Sequence, residues 1–528
     1  MSAARGGPLS WWPAEALGVL AAIVAWLGAG AGLRALALPD EGRYVGVALE
    51  MLQSGDWLTP RLDGLPFFHK PPLFYWLTAA ALALLGQHEW AARAASLLGA
   101  SALAAGLYLY LRRWAGAALA RASLLALLTQ PMYFIGAQFA NCDMLVAACI
   151  GLALLAWAHA LQSAAAGSGQ APRPARAAGF ALAALGVLAK GLIGIVLPLL
   201  VLLAWLACQR RLAQARLLAW WPGWLLFAAI AAPWFVLVEL RHPGFADYFF
   251  VGQQLHRYAR GGFNNVQPAW FYPAVLALLC LPWWPWLWGV RRAAGAAPGA
   301  APWSLMGCWL LVVLVFFSVP RSKLIGYMLP LLAPLAVLVA AAGLAWAARS
   351  RRAALAWRAS AGLGVTLCLG ALLLLLVRQP GSTQPLALAL AAQRAAGEPV
   401  LFVDGLFYDL RFYAPLPRSV AVVQDWHDPA LATFDNWRRE LSDAAAFAPS
   451  AGAAVLLERN RFAPRLCQHR ISWIVAPPDA ARRAPFLAHA RPVAQAQRAG
   501  LWRVDSGDAA TRAALQCPGT PSDAPADR

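Results

Sequence analysis

Between Leu38 and Pro72 the chain reads LPDEGRYVGVALEMLQSGDWLTPRLDGLPFFHKPP, a dense gathering of ionisable side chains in an otherwise apolar region. Asp40 and Glu41 stand together, and Arg43 follows Asp40 by three residues. That is one turn of a helix, so a helix end there can present a carboxylate and a guanidinium side by side. Lysine and arginine gathered at a membrane surface suit phosphate, and carboxylates beside them suit group transfer. The alternative for Asp40 is a helix N-cap with a surface partner. Lys70, Lys190 and Lys323 are the only lysines, against 40 arginines. Each ends a long apolar segment, in FFHKPP, LAKGL and PRSKLIGY.

The elements that must position these residues are membrane helices. Of 528 residues 61% are hydrophobic and only 13% charged, where a soluble domain carries about 25% charged residues. Mean hydropathy is +0.56. Tryptophan is paired at segment ends (11–12, 220–221, 283–284), as in interfacial belts. The formal charge of +19 fits an anionic membrane surface and not nucleic acid, because the arginines sit in short loops between apolar spans. At about 20 apolar residues per span, candidate spans lie near 14–35, 91–111, 119–138, 143–163, 177–190, 191–207, 217–239, 268–289, 302–319, 324–345 and 354–377. These eleven spans become thirteen if short segments also cross. The first is read as uncleaved, and not as a signal peptide.

The split at Lys190-Gly191 rests on charge. With a cytoplasmic N-terminus, the cytoplasmic loops hold arginines such as Arg112, Arg113, Arg210, Arg211, Arg291 and Arg292 and no acid. Asp40, Glu41, Glu50, Asp56, Asp63, Glu89, Asp143, Glu239 and Asp247 all fall on the other side, as the positive-inside rule asks. All three lysines share that outer side. Merging 177–207 into one span would invert every later loop.

Residues 1–379 are therefore expected to form a transmembrane domain with two external loops, 40–90 and 241–267. The first loop should carry short helices over 41–53 and 72–86, the latter lying in the interface. Residues 380–515 read as a small external α/β domain, with strands expected at 399–403, 419–423 and 453–457, and 516–528 as a disordered tail. Cys467 and Cys517 are the two cysteines of that domain, and an oxidising compartment favours a bridge between them. Neither a phosphate-binding GxxxxGK[ST] loop nor a dinucleotide fingerprint is present.

Six motifs in order resemble the GT-C membrane glycosyltransferases of the protein O-mannosyltransferase and lipid A aminoarabinose transferase group. They are Asp40-Glu41-Gly42-Arg43-Tyr44 with Ser54-Gly55-Asp56-Trp57, Lys70-Pro71, Asn141-Cys142-Asp143, Lys190-Gly191, Leu255-His256-Arg257-Tyr258, and Lys323-Leu324-Ile325-Gly326-Tyr327-Met328-Leu329-Pro330. The likeness covers roughly residues 12–345. It implies a GT-C fold, a bacterial inner-membrane enzyme with its site on the periplasmic side, and an undecaprenyl-phosphate-linked sugar as donor.

On this resemblance Asp40, Glu41 and Asp143 form the catalytic acids. Arg43, Tyr44, His69, Lys70, Lys190, Arg257, Lys323 and Tyr327 bind substrate, with Lys70, Arg257 and Tyr327 holding the lipid phosphate. The FxKP element at 68–71 and KLxxYxLP at 323–330 look more like the lipid A enzymes, whose acceptor is a lipid A phosphate. The alternatives are transfer of a hexose, uronic acid or mannose to another glycan or to protein, or flipping of a lipid-linked sugar. A transporter should carry ionisable groups at mid-span, and here charges avoid span centres. The lipid A enzymes usually have Glu before the loop lysine where this chain has His69, and an acidic-His pair where it has Gln253 and Gln254. A divalent metal, with His69 and His256 as ligands, is therefore doubtful. Lys190 has snorkelling as its plain alternative, and Asp143 has helix capping.

Overall fold

The computed structural model describes residues 12–168, 171–256, 265–289, 302–378, 381–432 and 436–518. By internal contacts the chain divides into two compact units: residues 1–32, 93–233 and 265–374, and residues 33–92, 234–264 and 375–528. The expected loop at Arg291 and Arg292, residues 257–264 of the expected external loop 241–267, and residues 519–528 of the expected tail 516–528 lie outside the described residues.

The first unit is helical. Helices Ala94–Trp114, Cys142–Ser163, Trp221–Arg241 and Arg351–Arg378, and the continuous segment Ile325–Ala347, are long and apolar enough to cross a membrane. A sixth crossing counts if Ala117–Leu128 and Pro131–Ala137 are one span bent by 71°. The break falls at Thr129-Gln130, before Pro131, because proline has no N–H to continue the ladder and disfavours helix in the residue before it. Ala14–Gly28, Ile193–Cys208 and Trp303–Ser318 are shorter apolar helices. The split at 190 is real. Helix Arg173–Lys190 ends at Gly191, whose φ of 98° is open to glycine, and Ile193–Cys208 follows. The expected span 268–289 differs most. It is a nine-residue helix, Phe271–Leu279, then a break and a 3₁₀ turn, Trp284–Gly289, with prolines at 282 and 285. Helix Cys142–Ser163 is buried on most of its surface, whereas Arg351–Arg378 leaves Leu355, Leu363, Leu369, Leu373 and Leu374 exposed. An apolar face left uncovered at that length suits contact with lipid.

The second unit gathers three stretches far apart in sequence. Helices Asp40–Ser54 and Leu73–Leu85 stand where short helices were expected. Between them β1 (Arg61–Leu62) and β2 (Leu65–Pro66) form a hairpin. Its two-residue turn, Asp63-Gly64, has φ of 55° and 80°, the Asp-Gly geometry that matches the twist of paired strands.

The C-terminal stretch holds a sheet of six strands: β3 (Val400–Val403), β4 (Ala421–Gln424), β5 (Leu456–Glu458), β6 (Ile471–Ala476), β7 (Arg491–Gln495) and β8 (Gly500–Asp505). Their order is β5-β4-β3-β6-β8-β7. The first four are parallel, and β8 runs antiparallel to both its neighbours, β6 and β7. Successive side chains point to opposite faces. Val400, Phe402, Val422, Trp473 and Val475 pack on one face, Leu401, Val403, Val423, Ile474 and Ala476 on the other. Two expected strands stand in place. The third is displaced, because Pro449–Val455 is helical and the strand begins at Leu456. Cys467 and Cys517 form a disulfide with Cα atoms 5.5 Å apart across 50 residues. Closing that loop stabilises the domain by about 4 kcal/mol in the chain-entropy picture.

Candidate active site

Helix Asp40–Ser54 sets out the first cluster, within the second unit. Its N-cap position is Pro39, and no side chain caps it. Asp40 is therefore not a cap. Its Oδ1 instead accepts from Nη2 of Arg43 at 2.7 Å. Nη1 of Arg43 donates to both carboxylate oxygens of Glu440, at 2.6 and 2.7 Å. Glu440 lies in the first turn of helix Trp437–Ala446, whose N-cap Asn436 accepts from the amides of Arg438 and Arg439. An acid in a first turn is favoured by the helix dipole. Burial alone would raise the Glu440 carboxyl, but Arg43, with His69 and Lys70 nearby, holds it below its ordinary value. Glu440 was not among the residues expected from sequence.

The other loop residues meet around this ion pair. Nδ1 of His69 is 3.8 Å from Glu440. Its Nε2 is 2.8 Å from the Tyr248 hydroxyl, and its ring stacks on Phe67. Tyr248 reaches Asp443, one turn beyond Glu440, at 3.4 Å and accepts from Gln253 at 3.3 Å. Tyr44 is buried against Phe74 and Tyr75, with the Arg43 guanidinium carbon 5.4 Å from its ring centre. Lys70 is half-buried.

Glu41 has a different setting from its neighbour. It is fully buried, paired with Arg34, and accepts from the Ala37 amide at 2.8 Å. A buried acid so engaged anchors the helix start.

At the far end of the same helix, Glu50 accepts from the Gly64 amide at 2.8 Å. Asp63 accepts from Arg411 and from the Val420 amide, each at 2.9 Å. Burial raises Glu50 to about 7 and Asp63 to about 6, with Arg411 opposing both shifts. A raised carboxyl binds its proton more tightly folded than unfolded, so stability falls as pH rises between the two values. For Glu50 that window runs from 4.5 to about 7. The melting temperature is expected to fall across it. Glu50→Gln should remove a part of that change on the order of 3 kcal/mol, leaving below about 6 the part that Asp63 contributes. An equally steep profile in the variant refutes the assignment to Glu50.

The second cluster lies within the first unit. Asn141 caps helix Cys142–Ser163 by accepting from the Asp143 amide at 2.9 Å. Asp143 is thus not the cap, which was its alternative, and its carboxylate pairs with Lys190. Lys190 does not snorkel. Its side chain is 11% exposed, and Nζ lies 4.5 Å from the Tyr327 ring centre. Gly326, beside Tyr327, has no room for a side chain, since a Cβ there would collide with the Asp143 carboxylate. Lys323 serves the backbone: its ammonium donates to the carbonyls of Pro320 at 2.7 Å and Gln267 at 3.2 Å.

Arg257 lies outside the described residues, and so does the side chain of His256. Among the described residues no three His, Cys, Asp or Glu side chains gather as metal ligands.

Residues 69–237 match the family model described as dolichyl-phosphate-mannose-protein mannosyltransferase. The chain is 35% identical over 314 residues to the undecaprenyl phosphate-alpha-4-amino-4-deoxy-L-arabinose arabinosyl transferase of Pseudomonas aeruginosa, covering 57% of this chain and 54% of the relative. The protein of that name from Aeromonas salmonicida is 34% identical over 321 residues, covering 58% and 56%. The match spans about half the length of these curated relatives. In structure the chain is similar to ArnT from Cupriavidus metallidurans bound to undecaprenyl phosphate, with a TM-score of 0.77 and 26% identity over 94% of this chain and 98% of that one.

Proposed function

We propose that this multi-pass membrane chain, a GT-C-fold relative of the aminoarabinose arabinosyl transferases, is an inverting glycosyltransferase. It moves a sugar from undecaprenyl phosphate to an anionic lipid acceptor. The sugar is an amino sugar, such as 4-amino-4-deoxy-L-arabinose or a hexosamine, and the acceptor a phosphate of lipid A. The observation that carries this reading is Asp40, not needed as a cap and held by Arg43, whose other partner Glu440 has His69 and Lys70 nearby, in a chain whose fold matches a protein solved with undecaprenyl phosphate.

In the reaction an acceptor oxygen attacks the anomeric carbon. The bond from that carbon to the donor phosphate breaks, and undecaprenyl phosphate departs with the electron pair. A lipid A phosphate is already anionic and needs no base. Asp40 is therefore assigned to steadying positive charge on the sugar, and Lys70 and Arg257 to the leaving phosphate.

The relatives' names support the donor, and the external charge asymmetry supports a periplasmic site in the bacterial inner membrane. Mass spectrometry of lipid A from cells with and without this gene tests the reading. A sugar-sized mass increment on a phosphate, present only with the gene, is expected. Unchanged lipid A with glycosylated protein instead favours the second reading, protein O-glycosylation, for which the match over 69–237 speaks. Alkaline phosphatase fused after residue 385 should be active, and an inactive, stably expressed fusion refutes the periplasmic assignment.

A further inference from the structure

We infer that Glu440 is a positioning residue: by holding Nη1 of Arg43 it keeps the guanidinium from closing end-on, through Nη1 and Nη2, on both oxygens of Asp40, leaving the second oxygen to the substrate. The inference rests on Asp40 acting as proposed above.

Arg43 is divided between two acids. Nη1 serves both oxygens of Glu440, and Nη2 serves Oδ1 of Asp40. A guanidinium facing one carboxylate prefers a two-bond fork with it. Such a fork would neutralise Asp40 on both oxygens and turn its charge away from a sugar. The partners differ in burial. The side chain of Asp40 is 45% exposed and that of Glu440 only 11%, so Glu440 holds Nη1 on the buried side and Asp40 holds Nη2 on the open side, while Nε is buried and makes no hydrogen bond. Glu440 is itself held, on a capped helix and within 3.8 Å of His69. The residue that leaves Asp40 half engaged therefore comes from a stretch outside the sequence likeness, which ends near residue 345.

The test compares the full-length protein with Glu440→Gln and Glu440→Asp, with two readouts. The first is steady-state transfer from synthetic undecaprenyl-phosphate-linked sugar. In Glu440→Gln kcat should fall about 10- to 100-fold, the penalty for a misplaced reacting group, while the donor KM stays within about threefold. The second reads geometry without turnover: modification of Asp40 by a water-soluble carbodiimide with an amine, followed by peptide mass spectrometry. Arg43 closing on Asp40 should lower that modification several-fold in Glu440→Gln. Glu440→Asp keeps the charge and should recover the labelling and part of kcat. Asp40 labelling unchanged in Glu440→Gln overturns the inference. So does a rise in KM at constant kcat, or an Asp variant no better than Gln. Wild-type protein that transfers no sugar, with Asp40 labelling still dependent on Glu440, would refute the proposed reaction and leave the positioning by Glu440 standing.

Discussion

Asp40→Asn is expected to lower sugar transfer about a hundred- to a thousand-fold with little loss of stability. The two halves of this expectation have separate causes. Stability should hold because Asp40 caps nothing: the N-cap position is Pro39, without a side-chain cap. What the fold loses is one partly exposed pair with Arg43 and a dipole contribution of about 0.3–1 kcal/mol. Arg43 keeps its stronger partner, Glu440. Activity should not hold, because an amide of the same size cannot steady positive charge at the anomeric carbon. Transfer rates and melting temperatures of purified protein decide the matter. An Asn variant within tenfold of the parent rate removes Asp40 from the chemistry.

Lys190→Met should produce the largest loss of stability, on the order of 3–5 kcal/mol. The substitution keeps length and removes charge, leaving the Asp143 carboxylate, 11% exposed, without the cation that pairs with it. Gly326 packs so closely against Asp143 that the carboxylate has little freedom to turn elsewhere. Adding Asp143→Asn to Lys190→Met should return most of the stability, because an uncharged pair suffers little from burial. Detergent unfolding of the single and double variants measures this, and a single variant as stable as the parent refutes it. The double variant also separates two roles. If it is stable and inactive, the charges act on substrate; if stable and active, the pair only braces the helices.

The sequence shows most of this architecture because the periods are strong. The split at Lys190-Gly191 was legible from loop charge, and the two loop helices from short apolar runs between turn residues. Asp40, Arg43, Asp143 and Lys190 stood out because ionisable groups are rare in so apolar a region. What it hides has physical reasons. Glu440 sits in WRRELSDAAA, an amphipathic helix like many others, and its role arises only from a partner 397 residues away. The bend before Pro131 and the broken segment after Leu279 escape a window that averages hydropathy and ignores proline. β6 was overlooked although Ile471-Ser472-Trp473-Ile474-Val475-Ala476 is rich in β-branched and aromatic residues. Glu41 and Lys323 were named with the clusters from their motifs, and the sequence did not show their partners: one is buried against Arg34 and the other bonded to backbone carbonyls.

The unit carrying Asp40 is stitched from residues 33–92, 234–264 and 375–528, and this has a consequence for biosynthesis. At about 5–20 residues per second, the 397 residues between Arg43 and Glu440 take roughly 20–80 s to leave the ribosome. Throughout that interval the nascent chain already holds Asp40 and Arg43 without the acid that parts them. The Asp40–Arg43 pair therefore takes its final geometry only after the helix at Trp437 has been made, so translation itself times the completion of this cluster.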